Sequence, residues 1–348
     1  MSNAQNQTNR IVAPTAPHES DAPLITSRRG NLWIPGEIVE TPNGTVQRAP
    51  LFAEWEAPET IRFPYPVVLV HGGGGQGTDW RTTPDGRPGW ASRLVESGYV
   101  VYVVDRPGHG RSPYHPDVVG EMGGPFPYEA ANGLFFPDEM KDQQNQWTFS
   151  RTVGSPEVDQ LVAAMGPLPD NLAESQRMDA DRLARLLVQI GPAVLFTDSG
   201  GGPAGWLTAD ARPELVKGII AIEPIGPAFG GFPGIGRLDW GLTAAPIGYA
   251  TNFASPEDAE NADPAQLVIP ALENIPVSLV TGGASAFASF AEQVVQFLNT
   301  AGADATWLHL PDHGIDGNGH GLIFEANSDE ILDVIKQELY QRVIHAES

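Results

Sequence analysis

Six apolar runs punctuate the chain, at residues 67–70, 99–104, 194–197, 216–222, 277–280 and 305–310. Most are short and continuously apolar, the pattern of strands buried on both faces. Helical periodicity fills the gaps between them. Residues 90–97 read as a helix stopped by Gly98. Residues 179–190 place Leu183, Leu186, Leu187 and Ile190 on one face, with Gly191-Pro192 as the stop. Further helices are predicted from the end of the 194–197 strand to about 211, over 287–301 before Gly302, and over 328–345. Strands alternating with helices predict an α/β fold with a doubly wound, mostly parallel sheet. Ahead of it, residues 31–34 and 44–55 alternate enough for short antiparallel strands.

Two stretches break this rhythm. Residues 113–177 are dominated by Pro, Gly, Asn and aromatics, with one helix predicted near 156–165. Residues 225–272 are rich in Gly, Pro, Phe, Trp and Tyr. Both are too long for plain connections and are expected to form lids over the sheet. The chain of 348 residues then reads as one domain from about residue 31, preceded by a mobile N-terminal arm over residues 1–30.

In open α/β sheets the working groups collect at the carboxyl ends of strands. His71, Asp105, Ser199 and Glu223 stand just past predicted strand ends, and His320 lies in the loop after the last one. The segment Val194-Leu195-Phe196-Thr197-Asp198-Ser199-Gly200-Gly201 is the most informative. A strand, a sharp turn and a helix leave a serine at the turn, where small neighbours must let strand and helix approach. Gly201 meets that demand after the serine, and Thr197 meets it only partly before it. Asp198, one residue early, is expected to face away from a site built on Ser199.

A serine hydroxyl needs an adjacent base, and the base needs an orienting acid. The order Ser, acid, His favours His320 in Gly317-Asn318-Gly319-His320-Gly321 as base, with His313 as its rival. Glu223 closes an apolar strand, a costly place for a carboxylate without a partner, and a histidine would supply one. Asp312 and Asp316 are the next candidates. His71-Gly72-Gly73-Gly74 fits a loop whose backbone N–H groups receive a developing oxyanion, one donor from Gly73 or Gly74 and the other from Gly200. The spacing and lysine of a phosphate-binding loop are absent.

Composition narrows the partners. Forty-three acidic against 20 basic residues give a formal charge of −23, which disfavours nucleic acid and anionic membranes and favours neutral or cationic substrates. The absence of cysteine excludes disulfides, thiolate catalysis and Cys-based metal sites. No apolar run approaches the roughly 20 residues of a membrane-spanning helix, and the start shows no charged region followed by an apolar one. A cytoplasmic protein without a signal peptide is therefore expected. A homodimer is one assembly the sequence allows.

Together, His71-Gly72, the run Asp105-Arg106-Pro107-Gly108-His109-Gly110-Arg111-Ser112, Thr197-Asp198-Ser199-Gly200-Gly201 and the late His320 resemble an alpha/beta-hydrolase over about residues 65–343. The chain is similar to a bacterial carboxylesterase subgroup, matched by Thr82-Thr83-Pro84-Asp85-Gly86-Arg87, by the Thr-x-Ser turn and by Gly317-Asn318-Gly319-His320. The resemblance implies a Ser199–His320–Glu223 triad, ester hydrolysis through an acyl-enzyme, and no cofactor or metal. The family's usual acid follows the strand that here is residues 277–280, and Thr281-Gly282-Gly283-Ala284-Ser285-Ala286 has no carboxylate. The subgroup's oxyanion loop is expected to carry a cysteine pair, and this one has glycines. Phe229, Trp240 and Tyr249 in the second insertion are expected to close over Ser199 and shape an acyl or alcohol pocket. A lactonase or amidase with the same triad, and an idle binding protein on the same scaffold, are the alternatives. A dehalogenase would need its nucleophilic aspartate at position 199.

Overall fold

Residues 24–232 and 236–345 are described in the computed structural model of the chain. The expected N-terminal arm lies outside them up to Pro23, and the first strand already begins at Ser27. That strand, β1 (Ser27–Ile34), is followed by a hairpin of β2 (Glu37–Thr41) and β3 (Gly44–Arg48), then by β4 (Leu51–Pro58). Short antiparallel strands are what the pattern over 44–55 predicts, and β3 and β4 fall there. Ala49, at φ +48°, and Pro50 separate the two.

Next come β5 (Val67–Val70), α1 (Trp90–Ser97) and β6 (Val101–Asp105). The first insertion holds three short helices, α2 (Pro116–Val119), α3 (Tyr128–Phe135) and α4 (Pro156–Ala164). Then follow α5 (Leu172–Ile190), β7 (Ala193–Asp198), α6 (Gly202–Ala211) and β8 (Val216–Ile222). The second insertion carries a two-stranded ribbon, β9 (Gly231–Phe232) with β10 (Gly236–Arg237), and α7 (Pro256–Glu260). The chain closes with β11 (Pro276–Thr281), α8 (Ala288–Ala301), β12 (Asp304–His309) and α9 (Ser328–Leu339).

Eight strands form the main sheet in the order β1-β4-β6-β5-β7-β8-β11-β12. β1, β4 and β6 pair antiparallel, and from β6 to β12 every pairing is parallel. A parallel strand has helices on both faces, so its side chains all need burial. β5 complies, with four of four residues buried, and β7 with its first five. Leu69, Phe196 and Ile220 point to a core shared with α1 and α9, and Val68, Leu195 and Ile219 to one shared with α5, α6 and α8. Each such side chain contributes about 1.5–3 kcal/mol when fully buried.

α5 starts seven residues before the predicted helix, at a cap where the Asn171 side chain accepts from Glu174 N at 3.0 Å. Its first two turns bury polar residues, Ser175, Gln176 and Asp179, which removed the apolar periodicity from the sequence. Gln176 Oε1 accepts from Ala244 N at 2.7 Å and so ties α5 to the second insertion.

Candidate active site

The turn after β7 forces Ser199 to φ +46°, a region that costs a non-glycine residue on the order of 1–3 kcal/mol. Close packing holds it there. A Cβ on Gly201 would lie 2.4 Å from the His71 carbonyl oxygen, and one on Gly200 would lie 3.0 Å from Gly73 N. The turn and the oxyanion loop therefore meet backbone to backbone. Thr197 is tolerated before the serine because α6 places a glycine opposite it: a Cβ on Gly205 would sit 3.0 Å from Thr197 Cγ2.

His320 Nε2 lies 3.0 Å from Ser199 Oγ, and His320 Nδ1 lies 3.3 Å from Glu223 Oε2. Glu223, at φ +46° past the end of β8, is fully buried. Its Oε1 accepts from Gly282 N at 2.7 Å and its Oε2 from Ser285 Oγ at 2.5 Å. Ser285 thus occupies the loop after β11 where the family's usual acid would stand, and its hydroxyl serves the displaced carboxylate instead. Its oxygen in turn accepts from Phe287 N at 3.1 Å. The Phe287 ring lies against the imidazole, centroids 4.1 Å apart, with Phe135 at 5.5 Å. His313, the rival base, ends a 3-10 turn and is exposed.

The histidine loop is held from behind by a second buried carboxylate. Glu325 accepts from Gly319 N at 2.8 Å, Asn318 Nδ2 at 2.7 Å and Gln144 Nε2 at 2.7 Å. Gln144 belongs to the first insertion, and the neighbouring Gln146 N donates to Gly317 O at 3.0 Å. Burial pushes the Glu325 carboxyl up, against the three donors.

The glycine loop after β5, the candidate oxyanion loop, is held by His71 and by Arg106, to which the sequence assigned no role. The His71 ring is buried, and desolvation followed by the nearby Arg106 charge holds it well below the usual histidine range. A neutral ring satisfies both contacts: Nδ1–H donates to Gly72 O at 2.9 Å, and Nε2 accepts from Arg106 N at 3.0 Å. The Arg106 guanidinium donates to Gly72 O at 3.0 Å and to Asp179 Oδ2 at 3.0 Å. Two donors therefore fix the Gly72 carbonyl. A trans peptide is planar, so Gly73 N–H points the opposite way. Among the described residues, the N–H groups of Gly73, Gly74 and Gly200 have no acceptor. The Gly74 carbonyl accepts from Gly166 N at 2.5 Å, which ties the loop to the first insertion.

A cavity of about 250 Å³ opens over Ser199. Gly72, Gly73, Gly74 and Gly200 form its polar floor. Its apolar walls come mainly from the first insertion and the α5 start, including Phe126, Leu134, Phe135, Met165, Leu168 and Leu172. Ile225 and Phe232 are the second insertion's share. The expected wall residues Phe229, Trp240 and Tyr249 are not among them. Phe229 meets Phe297 of α8 edge to face at 6.0 Å, and Tyr249 Oη donates to Trp240 O at 3.1 Å while both pack on the core. They fasten the insertion to the sheet. Asp198, expected to face away, borders the cavity together with Asp79. It is the last residue of β7, paired with Ile222 of β8, and the missing side chain of Gly72 leaves room for its carboxyl. Among the described residues, no group of three or more His, Asp and Glu stands where it could hold a metal ion.

Comparison with known proteins agrees with this architecture. The alpha/beta hydrolase fold family matches residues 65–234. A protein named probable secreted lipase phiG, from Fungal sp. (strain ATCC 74256), is 34% identical over 316 residues, 84% of this chain and 86% of that protein. The solved structure of a bacterial esterase superposes with a TM-score of 0.67 at 23% identity, over 95% of this chain and all of the other. The cytoplasmic setting expected from the N-terminal sequence is corrected by the fungal relative, whose name points to secretion. No helix among the described residues is long and apolar enough to cross a membrane. With a relative this similar along most of its length, and this sheet and turn, the chain belongs to the alpha/beta-hydrolase family.

Proposed function

We propose that the chain is a serine carboxylic-ester hydrolase that works through an acyl-enzyme. Ser199 Oγ attacks the ester carbonyl while His320 Nε2 takes its proton. The carbonyl oxygen, now negative, receives hydrogen bonds from Gly200 N–H and from Gly73 or Gly74 N–H. His320 then gives the proton to the leaving alcohol oxygen as the C–O bond breaks. Water repeats the sequence on the acyl-enzyme, His320 again acting as base, and releases the acid. Glu223 holds Nδ1–H, so Nε2 presents its lone pair to the serine.

The observation that carries this reading is the unbroken line Ser199 Oγ, His320, Glu223, at 3.0 and 3.3 Å. The name of the fungal relative, a lipase, supports an ester as substrate. The walls of the cavity support an apolar acyl or alcohol group. A fluorophosphonate probe and a short p-nitrophenyl ester test it together. Wild-type protein should be labelled at Ser199 and should hydrolyse the ester. Ser199→Ala should do neither and keep its melting temperature, because the hydroxyl faces the cavity. Labelling of another serine, or hydrolysis retained in Ser199→Ala, would overturn the assignment.

A further inference from the structure

The apolar cavity over Ser199 has an acidic side. Five phenylalanines line it: Phe126, Phe135, Phe232, Phe287 and Phe324. Two carboxyls line it too, Asp198 beside Ser199 and Asp79 in the 3-10 turn after the oxyanion loop. A Cβ on Gly72 would lie 2.6 Å from Asp198 Oδ2, and one on Gly75 would lie 2.3 Å from Asp79 Oδ2, so both carboxyls stand against the oxyanion loop. Asp79 is 7% exposed, and its Oδ2 accepts from Gln76 N at 3.0 Å. Neither Asp79 nor Asp198 has an ion-pair partner among the described residues. The cation at the cavity edge, Arg106, is committed to Asp179 and Gly72 O. Asp79 is buried and Asp198 half-buried, and a carboxyl drawn out of water without a cation is costly.

Resting on the esterase reading, we infer that the substrate is an ester carrying an alkylammonium group, which Asp79 and Asp198 meet on one side and the phenylalanine rings on the other. Carboxylate attraction in a site of low dielectric supplies the first contact, and cation–π attraction the second. The formal charge of −23 draws the same class of molecule toward the protein.

Ionisation gives the inference a pH signature. Burial pushes Asp198 up to about 7, with His320 and Arg106 opposing and Glu223 adding to the rise. Burial likewise pushes Asp79 to about 8, raised further by Asp198 and Asp105 and opposed by the Gln76 N–H. The His71 ring also lies beside Asp79 at Gly75, and it stays neutral. Both carboxyls are therefore protonated in acid and become anionic as pH rises through 7 to 8. Preference for a cation should grow over that interval.

Isosteric ester pairs test this. Choline butyrate against 3,3-dimethylbutyl butyrate places the charge on the alcohol side. The p-nitrophenyl esters of 4-(trimethylammonio)butyrate and 5,5-dimethylhexanoate place it on the acyl side. The ratio of kcat/KM within a pair cancels any pH dependence of the chemical steps, which both members share. At pH 8.5 the cation should win in at least one pair by about tenfold or more, and the ratio should fall toward one at pH 6. Asp198→Asn and Asp79→Asn should each lower the ratio at pH 8.5. Binding of choline to Ser199→Ala, measured by titration calorimetry against 3,3-dimethylbutanol, is a readout free of turnover and should show the same preference.

Equal or neutral preference in both pairs at pH 8.5 would overturn the inference, as would a ratio flat in pH. Failure of all four esters would overturn it as well. Ser199-dependent hydrolysis of a simple p-nitrophenyl ester would still stand in each case, so the two readings fail separately.

Discussion

Replacing Glu223 by glutamine changes one atom and inverts the hydrogen-bond logic of the site. The amide has one acceptor oxygen and two N–H donors, where the carboxylate had only acceptors. Gly282 N–H points at the Oε1 position from 2.7 Å and requires an oxygen there. The NH₂ group is then sent to the Oε2 position, 2.5 Å from Ser285 Oγ and 3.3 Å from His320 Nδ1. Ser285 Oγ can accept. His320 must accept too, so its proton moves to Nε2, the atom that has to take the proton of Ser199. The opposite amide orientation sets NH₂ against Gly282 N–H and leaves that buried donor unsatisfied, at about 1–3 kcal/mol. That penalty leaves the productive orientation in roughly 1–15% of molecules, and without a negative charge to stabilise the imidazolium. A wrong tautomer in a serine protease triad lowers kcat about 10⁴-fold. Glu223→Gln should therefore lose about 10²–10⁴-fold in kcat on a simple ester, with KM changed little and the melting temperature shifted by at most a few degrees. Stopped-flow measurement of the acylation burst isolates the step. A burst rate within tenfold of wild type would refute the reasoning and remove Glu223 from the triad.

Asp79 should also leave a mark on stability. Its carboxyl is raised to about 8 when folded and returns to about 3.9 when unfolded, so the folded state holds the extra proton between these values. Stability then falls as pH rises through that interval, because the unfolded chain binds fewer protons there. Asp79→Asn removes this dependence: its melting temperature relative to wild type should climb from pH 5 to pH 8, and a flat difference would show that the carboxyl titrates normally. The cavity wall predicts a second contrast. Leu168→Ala, which enlarges the cavity, should reorder a series of esters graded by acyl length, and Trp240→Ala should lower the melting temperature without reordering them.

The carboxyl ends of the strands were legible because buried parallel strands write themselves as unbroken apolar runs. Ser199, Glu223 and His320 each follow such a run or its loop, and their order along the chain matches the order the fold requires. The structure brings these three side chains within hydrogen-bond range. The walls of the cavity were not legible. Leu134 lies near the end of the short helix α3, and Met165 and Leu168 follow α4, in an insertion whose long loops between short helices carry no sustained period. Phe229, Trp240 and Tyr249 looked like lid residues because aromatic side chains in a loop serve a cavity and a core equally well. The first two turns of α5 were missed because they bury Ser175, Gln176 and Asp179. Arg106 was in plain view within a quoted motif, but its contact with Gly72 O joins residues 34 apart, and no local pattern encodes it.

The pattern of charge around His320 has its own logic. Three carboxyls, Glu223, Asp198 and Glu325, stand near His320 or the loop that carries it, and like charges this close cannot all ionise cheaply. Glu223 receives Gly282 N–H and Ser285 O–H in addition to the imidazole Nδ1–H, so its lone pairs are filled by donors. Glu325 also receives three donors, but none belongs to the imidazole, and burial together with the Glu223 charge pushes its carboxyl up. Asp198 has no donor among the described residues, and desolvation, with the Glu223 charge adding to it, pushes its carboxyl up to about 7. Hydrogen bonds rather than distance thus support Glu223 as the acid of the proposed triad. Glu325 is left to clamp the loop that carries His320 onto the first insertion. Asp198 is left facing the cavity, able to change charge near neutral pH without disturbing the triad's own hydrogen bonds. A site with one committed acid and two uncommitted carboxyls, Asp79 and Asp198, can keep its hydrogen bonds in place while its preference among substrates varies with pH.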